Sequence, residues 1–478
     1  LIPSGLIFLV LFLSYANITT ANKLPDLGAP DLVEYDTETE KSLGRAFTSA
    51  LHTHYKLLND FDTNDYIREI GHNLASYTGN NRHYSFYVID DASINAFAGP
   101  NGVIGIHTGL ILASKSEDEL AAVIAHEISH VTQNHLSRRY EYSSTQGGLN
   151  TIATLIAAIL IGSQDPSAGM ATLMGGMGYN LQQQLKNSRQ HESEADAIGI
   201  TLLHKTGYNP HAMGGFFSHL SKASQLDTIK VPEILRTHPV SENRLAEAEN
   251  RARNLKPLNK NKPQNLLRQI QTRIQKLNNT SFAINKSSKE KNNSKEECYN
   301  RAIQARIEKK EIPKCLIEIT DDHQSSPIYF SALLQHLIEQ NAEINPLLLD
   351  KIKNQINLKI ELYPSSEALP IYYSRLLRKL KKPKEAEEIL NYAEQHMKYK
   401  YNIYIELSEY FAKKQLEGEA YFNLAKAYLV SGNTERSEFF LKQAILLKRN
   451  NDRNIEQRIT LFKNNNSKLL NNKNKKKD

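Results

Sequence analysis

The chain of 478 residues has little cysteine, no tryptophan and no long apolar run. Its main apolar runs, residues 6–13 and 152–161, are much shorter than the roughly 20 residues that span a membrane, which argues against such helices. The two cysteines, Cys298 and Cys315, lie far from the N-terminal run, so a lipoprotein anchor is not indicated. They fit an oxidising compartment, where they could join neighbouring helices, although an even count does not establish a bridge.

The formal net charge of +7 is distributed unevenly along the chain. Lysine and asparagine are concentrated after about residue 255 and culminate in the tail 472–478. No aromatic and basic module accompanies this charge, so the sequence does not favour a nucleic-acid partner.

Residues 1–21 have the pattern of a secretory signal peptide. The apolar run 6–13 is followed by small and polar residues up to Ala21, and either Ala16 or Ala21 is suited to be the last residue removed. The alternative is an uncleaved N-terminal anchor. The pattern therefore predicts an exported protein.

The segment 116–135 contains His126, Glu127 and His130 in the order H-E-x-x-H. A capping-box spacing at its start precedes an apolar stripe, which predicts a buried helix. The stripe comprises Leu120, Val123, Ile124, Ile128 and Val131. Side chains four residues apart share one helix face, so both imidazoles could bind one metal ion and Glu127 could accept a proton from water beside it. This arrangement predicts zinc-peptidase chemistry, and the alternative is a pair of surface histidines.

Two strands are predicted before this helix, at residues 84–89 and 103–107. Zinc peptidases commonly present an edge strand to the substrate backbone just before such a helix. We therefore expect residues 103–107 to pair with an extended peptide. His107 within this stretch is expected to pack rather than to bind metal.

A second helix is predicted at residues 188–207 and is terminated by Gly207. Glu192 and Asp196 lie one turn apart on one face, so they offer a metal ligand and a carboxylate that orients a histidine or passes a proton. Glu194 and His191 point elsewhere, and His191 is expected at the surface. The preceding segment, 147–179, predicts either a buried helical pair or a surface that contacts membrane or an unfolded client.

These motifs together resemble the HtpX-like zinc endopeptidases of metallopeptidase family forty-eight. The resemblance rests on H-E-I-S-H, E-S-E-A-D-x-x-G, Gly-Tyr-Asn-Pro and Thr-His-Pro, with Arg244 following. The signal peptide and helical repeats are similar to the periplasmic branch of that family. The resemblance implies one zinc ion on His126, His130 and Glu192, with Glu127 as general base and Asp196 as accessory acid. It also implies the periplasm of a Gram-negative bacterium.

Two further residues have alternative roles. His238 precedes a proline and should be extended on a segment between helices, from which it could reach the metal as a fourth ligand and hold the enzyme latent. Otherwise it caps the next helix or binds substrate. Arg244 could stabilise an oxyanion or pair with a carboxylate.

The second half of the chain is predicted to be helical after residue 296. The segment 418–451 has tetratricopeptide-repeat spacing, a weaker unit includes residues 377–393, and a lone helix fits between them near 401–414. The alternative is a plain helical bundle. Stacked helical pairs would present a concave surface for polypeptide.

We therefore expect a mainly α fold, with a zincin-type metallopeptidase domain of helices and a small sheet followed by an α-helical tetratricopeptide-repeat solenoid. The expected divisions are a signal peptide (1–21), the peptidase domain (22–255), a flexible linker (256–295), the repeat domain (296–460) and a basic disordered tail (461–478). By resemblance, clients are misassembled outer-membrane proteins and the partner is the outer-membrane assembly machinery. The competing hypothesis is a largely latent peptidase that acts as a chaperone or scaffold.

Overall fold

The fold is described from a computed structural model. The structure describes residues 37–135, 181–225, 231–256, 265–278, 295–322, 325–340, 343–448 and 453–470. The predicted signal peptide, the whole of the predicted 147–179 segment and the basic end of the tail lie outside these residues. Within them, no helix combines the length and apolar character required to traverse a bilayer.

The N-terminal half is a helical assembly around a three-stranded sheet. Its helices are α1 (Thr37–His54), α2 (Phe61–Ala75), α3 (Thr108–Ala113), α4 (Glu117–Thr132), α5 (Leu181–Thr206), α6 (Ala212–Gln225), α7 (Glu233–Thr237) and α8 (Glu242–Arg253). Its strands are β1 (Ser85–Ile89), β2 (Ala96–Ala98) and β3 (Val103–His107). The prediction of a mainly α fold with a small sheet is confirmed.

The sheet order corrects one expectation from the sequence. β3 lies in the centre, parallel to β1 and antiparallel to β2. The stretch 103–107 therefore already has two strand neighbours and is not the free edge predicted for substrate pairing. Among the described strands, β2 is the edge strand next to α4, because β2 and α4 are in contact.

The helix α4 forms for the reasons visible in its sequence. Ser116 is its N-cap, and the Ser116 hydroxyl accepts a hydrogen bond from the Glu119 backbone N–H. The Glu119 carboxylate accepts from the Lys115 N–H, one residue before the usual capping-box partner. The apolar stripe is buried, with Leu120 and Ile128 fully inaccessible. This helix is therefore a rigid platform for the residues it carries.

The C-terminal half is entirely helical within the described residues. Its helices are α9 (Leu267–Asn278), α10 (Lys295–Ile307), α11 (Lys314–Asp321), α12 (Pro327–Glu339), α13 (Pro346–Leu362), α14 (Ala368–Lys379), α15 (Pro383–His396), α16 (Tyr401–Lys413), α17 (Glu417–Val430), α18 (Thr434–Leu446), α19 (Arg453–Asn465) and α20 (Ser467–Leu470).

Helical pairs occur where the repeat spacing predicts them. α14 packs on α15 and α17 packs on α18, while α16, predicted as a lone helix between the two pairs, packs closely on α17. The turn between α17 and α18 contains Gly432 at φ 81°, where a β-carbon would lie 2.2 Å from the Arg45 carbonyl oxygen. Only glycine fits that approach to α1. The assignment of these pairs as tetratricopeptide repeats stays a prediction.

The segments predicted as linker and tail are more ordered than expected. α9 lies inside the interval 256–295, and its Leu267, Ile270 and Ile274 are buried. That interval is therefore not a continuous flexible linker, because its apolar residues recur at helical spacing. α19 and α20 extend into the predicted tail as far as Leu470, which packs in the core of the last helices.

Buried charges join the two halves. The guanidinium of Arg273 on α9 donates to Asp60 at 2.8 Å and lies 2.9 Å from Asp62. On α2, Arg68 lies 2.6 Å from the carboxylate of Glu367 at the start of α14. Helix α2 therefore holds the C-terminal helices against the N-terminal assembly. A disulfide between Cys298 and Cys315 connects α10 to α11.

A buried carboxyl group in the first turn of α4 gives a pH-dependent prediction. Glu117 accepts hydrogen bonds from Tyr66 and the Leu266 N–H, both on Oε2 at 2.9 Å. Burial raises the pKa of Glu117 to about 7, against an ordinary value of 4.5. Between these values the folded protein retains a proton that the unfolded chain releases, so the free energy of unfolding falls as pH rises through this window.

Glu117→Gln should remove that dependence, because the amide oxygen of glutamine can still accept both hydrogen bonds and does not ionise. Relative to this variant, wild type should lose on the order of 2–3 kcal/mol of unfolding free energy between pH 4.5 and 7.5. Urea unfolding at a series of pH values measures the difference. A difference that is constant with pH would contradict the prediction.

Candidate metal centre and active site

Three elements bring the predicted site residues together. α4 presents His126, Glu127 and His130, and α5 presents Glu192 beside them. The close approach of these helices requires Gly199, whose β-carbon would lie 2.5 Å from Met213 and 3.3 Å from the backbone nitrogen of His126. His238 enters from the residue after α7. Potential ligand atoms of His126, His130, Glu192 and His238 all lie within 4.8 Å of one another.

The distances within this group suit a small divalent cation. The Nε2 atom of His126 lies 3.0 Å from His130 Nε2 and 3.2 Å from His238 Nδ1. The Oε2 atom of Glu192 lies 3.4 Å from His126 Nε2 and 3.0 Å from His238 Nδ1, and its Oε1 atom lies 3.6 Å from His130 Nε2. Ligands at about 2.0–2.1 Å in a tetrahedron are separated from one another by about 3.3 Å. Three nitrogen donors and one carboxylate therefore fit a tetrahedral metal ion.

Two ligand side chains are held by Asp196 and Arg244. Asp196 Oδ1 lies 2.9 Å from His126 Nδ1, so the other ring nitrogen, Nε2, faces the group. Arg244 donates to both Asp196 oxygens, at 2.7 and 2.9 Å, and to the Pro239 carbonyl, and its Nη1 lies 3.0 Å from Glu192. Of the two roles predicted for Arg244, the geometry favours pairing with carboxylates, because its nitrogens already face protein acceptors.

The carboxylates of Glu192 and Asp196 favour positive charge at His126, whereas burial holds the pKa of His130 well below its ordinary value. Burial opposes protonation of His126, but hydrogen bonds to Asp196 and Glu192 raise the pKa of that imidazole to about 10. Burial alone would raise the pKa of Glu192, but His238 and His126 hold it well below its usual range. A buried site that stabilises excess positive charge is suited to a divalent cation.

Glu127 is buried beside the metal-binding group rather than inside it. Its side chain is 1% exposed, and its Oε1 atom lies 3.4 Å from His238 Nε2 and has no hydrogen-bond partner among the residues that the structure describes. Burial raises the pKa of Glu127. A carboxylate with an uncommitted oxygen next to a metal group is arranged to accept a proton.

The part of the chain that carries this group is similar to a known family. Residues 62–252 match the model of Peptidase family M48. The chain carries a peptidase family M48 domain. This M48 domain contains all of α4, α5 and α7 and nearly all of α8, and therefore every residue of the metal-binding group.

Relatives of the M48 domain include named proteases. A relative from Vibrio cholerae serotype O1 is 38% identical over 237 residues, 49% of each chain. The beta-barrel assembly-enhancing protease of Escherichia coli K12 is 36% identical over 240 residues, which cover 50% of this chain and 49% of that protein. Metalloprotease LoiP of Escherichia coli K12 is 31% identical over 176 residues, 36% of this chain and 65% of that protein. The matched region spans about half the length of the first two relatives.

The metal-binding group of the M48 domain has neighbours that the sequence did not reveal. His135 lies beside His130, with their Nδ1 atoms 2.8 Å apart, and the other ring nitrogen of His135 is 3.1 Å from Glu194. His191, expected at the surface, is half-buried and stacks on His135 with ring centroids 4.3 Å apart. The H-E-x-x-H-x-x-x-x-H spacing was the available signal. His135 follows the end of α4, however, and the direction of a side chain beyond a helix end cannot be predicted from spacing.

The segment that carries His238 in the M48 domain is tied to the edge of the sheet. The Ile234 N–H donates to the Ile94 carbonyl at 3.1 Å, and the His238 N–H donates to the Ile234 carbonyl at 2.9 Å. Ile94 is two residues before β2. His107 does not join the metal group: it is buried and lies 2.7 Å from the Ser93 hydroxyl.

Proposed function

We propose that the chain is a zinc-dependent endopeptidase, exported to the periplasm of a Gram-negative bacterium. The single observation that carries this proposal is the buried group of His126, His130, Glu192 and His238 beside Glu127. The three-histidine, one-carboxylate donor set suits zinc better than magnesium or calcium, which prefer oxygen ligands. The periplasmic location rests on the signal-peptide pattern and on the relatives of the M48 domain.

In the proposed reaction, His126, His130 and Glu192 would hold the zinc ion, which would supply Lewis-acid activation of the scissile carbonyl. Glu127 accepts a proton from the attacking water as the water oxygen bonds to the carbonyl carbon, and it passes a proton to the leaving amine as the carbon–nitrogen bond breaks. Asp196 and Arg244 orient His126 and Glu192, a role that their hydrogen bonds support better than direct acid catalysis or oxyanion stabilisation.

Metal analysis and chelation test the zinc proposal. Purified wild type should contain about one zinc ion per chain, and its cleavage of an unfolded polypeptide should disappear with a zinc chelator and return with zinc. Glu192→Ala should weaken zinc binding by more than about tenfold, because a direct ligand contributes more than the outer contacts whose loss costs 10–100-fold. Glu249→Ala is the control, since Glu249 forms only exposed pairs with His211 and Arg253. Zinc binding that survives Glu192→Ala unchanged would contradict the ligand assignment.

His238 is proposed to hold the enzyme latent as a fourth ligand. Its Nδ1 lies against His126 and Glu192, and its Nε2 faces Glu127, so it occupies the place that substrate and water need. The other proposed ligands have outer partners, whereas the side chain of His238 contacts only residues of the site itself within the described part of the chain. His238 is therefore the ligand easiest to displace.

His238→Ala should raise proteolysis several-fold, because it exposes Glu127 and frees one coordination position. The initial rate of cleavage of an unfolded substrate measures this, with zinc content determined on the same samples. His211→Ala, at an exposed histidine, is the control. An unchanged or lower rate in a variant that retains zinc would count against latency.

The proposed clients are outer-membrane proteins that have failed to assemble, and the proposed partner is the outer-membrane assembly machinery. The name of the Escherichia coli relative, a beta-barrel assembly-enhancing protease, supports this choice.

The proposed divisions are a peptidase domain at 22–255 and a client-binding repeat domain at 296–460. A second candidate function, a chaperone or scaffold with a largely silent peptidase site, is favoured by the position of His238 over Glu127.

A further inference from the structure

His130 is connected to a second histidine outside the metal-binding group. Its Nδ1 atom is 2.8 Å from His135 Nδ1, and His135 Nε2 is 3.1 Å from Glu194 Oε2. His135 reaches this position because Asn134, just after α4, adopts φ 54°, a left-handed conformation that asparagine tolerates. The chain thereby turns back and places the second imidazole against the first.

The position of His135 is enforced by its surroundings. Its side chain is 4% exposed, and its ring stacks on His191 at an interplanar angle of 16°. Glu194 is itself held, since Gln190 donates to its other oxygen at 2.9 Å. The side chains of His135 and Glu194 are therefore each held by a further contact, with His191 and Gln190 respectively.

The hydrogen bonds allow one assignment of protons when His130 binds a metal. A histidine that gives Nε2 to the metal carries its proton on Nδ1, so His130 Nδ1–H donates to His135 Nδ1. His135 must then carry its own proton on Nε2, which donates to the Glu194 carboxylate. The proton of His130 is thus on Nδ1 and the proton of His135 is on Nε2. The carboxylate of Glu194 fixes the tautomer of His130 through the imidazole of His135.

We propose that His135 and Glu194 are positioning residues that hold His130 in its metal-binding tautomer and orientation. The inference rests on the proposed zinc site but goes beyond its ligand set. Asp196 performs the corresponding task for His126 by direct contact. α5 therefore serves the site from two sides: Glu192 and Asp196 face the group, and Glu194 between them reaches His130 through His135.

The test compares His135→Phe, which keeps a stacking ring but cannot accept a hydrogen bond, with His135→Gln, which can accept from His130 and donate to Glu194. His135→Phe should lower zinc affinity 10–100-fold, as for other outer partners of metal ligands, and His135→Gln should recover most of it. Competition with a chromogenic zinc chelator measures affinity, and the visible spectrum of the cobalt-substituted protein should shift only in the Phe variant. His211→Phe is the matched control.

Equal affinities for wild type and the Phe variant, or equal losses in the Phe and Gln variants, would overturn the proposal. Glu194→Ala offers a second comparison at a partly exposed helical position where alanine is well tolerated, and it should lower affinity about tenfold even if His135→Phe fails to fold. An unchanged affinity in Glu194→Ala also overturns the relay. If wild type itself binds no zinc, it is the proposed function that fails.

Discussion

Glu127→Gln is expected to lower the rate of proteolysis by about 10²–10⁴-fold, the usual contribution of a positioned general base. Glutamine has nearly the same shape as glutamate, and it fits a site in which Glu127 is 1% exposed. It cannot accept the proton of the attacking water. Zinc content should be unchanged, because Glu127 is not among the proposed ligands.

The experiment is sharpest in a His238→Ala background, where the proposed latency is removed and the starting rate is higher. Glu249→Gln, the same change at an exposed carboxylate, controls for the loss of one negative charge. Equal turnover of an unfolded substrate with and without Glu127 would refute the peptidase proposal and favour the chaperone or scaffold. Mass spectrometry of partners cross-linked to the inactive variant would then identify clients under either outcome.

Arg273→Met is expected to lower the free energy of unfolding by about 3–5 kcal/mol, because it leaves two buried carboxylates without their cation. The guanidinium is 2% exposed, and it contacts Asp60, Asp62 and Gln335. Asp60 is also the N-cap of α2, where it accepts from the Thr63 N–H. The loss therefore falls on the helix that connects the two halves.

Urea unfolding measures the effect, and two further variants identify its cause. Arg253→Met is the control, since Arg253 is 71% exposed in a surface pair and should matter by less than about 0.5 kcal/mol. Adding Asp60→Asn and Asp62→Asn to Arg273→Met should recover part of the stability, because neutral amides do not need a cation. A loss below about 1 kcal/mol in Arg273→Met would show that the carboxylates are stabilised by other contacts.

The parts of the site that lie within one helix could be predicted from sequence. The spacing of His126 and His130, and of Glu192 and Asp196, places each pair on one face by helix geometry alone. The burial of α4 also followed from its apolar stripe. The structure adds the juxtaposition of α4 and α5, which depends on packing at Gly199 and on long-range contacts.

The missed features depend on the path of the backbone and on the order of the strands, which a local sequence pattern does not encode. The position of His135 follows from one left-handed residue at Asn134, and the edge position of β2 follows from a strand order that crosses over in space. The order in the linker was missed for a different reason: the lysine and asparagine content around α9 obscured the helical spacing of Leu267, Ile270 and Ile274. Composition was a poorer guide there than periodicity.

The hydrogen bond between Ile94 and Ile234 connects the sheet edge to the segment that carries His238. Residue 94 leads into β2, and residue 234 lies in α7, the short helix that immediately precedes His238. A peptide that pairs with β2 and shifts its start would act on the same segment that covers Glu127. Thermodynamic linkage would then make the two effects equal: peptide binding would favour displacement of His238 by a certain factor, and displacement of His238 would raise the affinity for peptide by the same factor. Uncovering of the site would be a response to the substrate itself, without a separate activator.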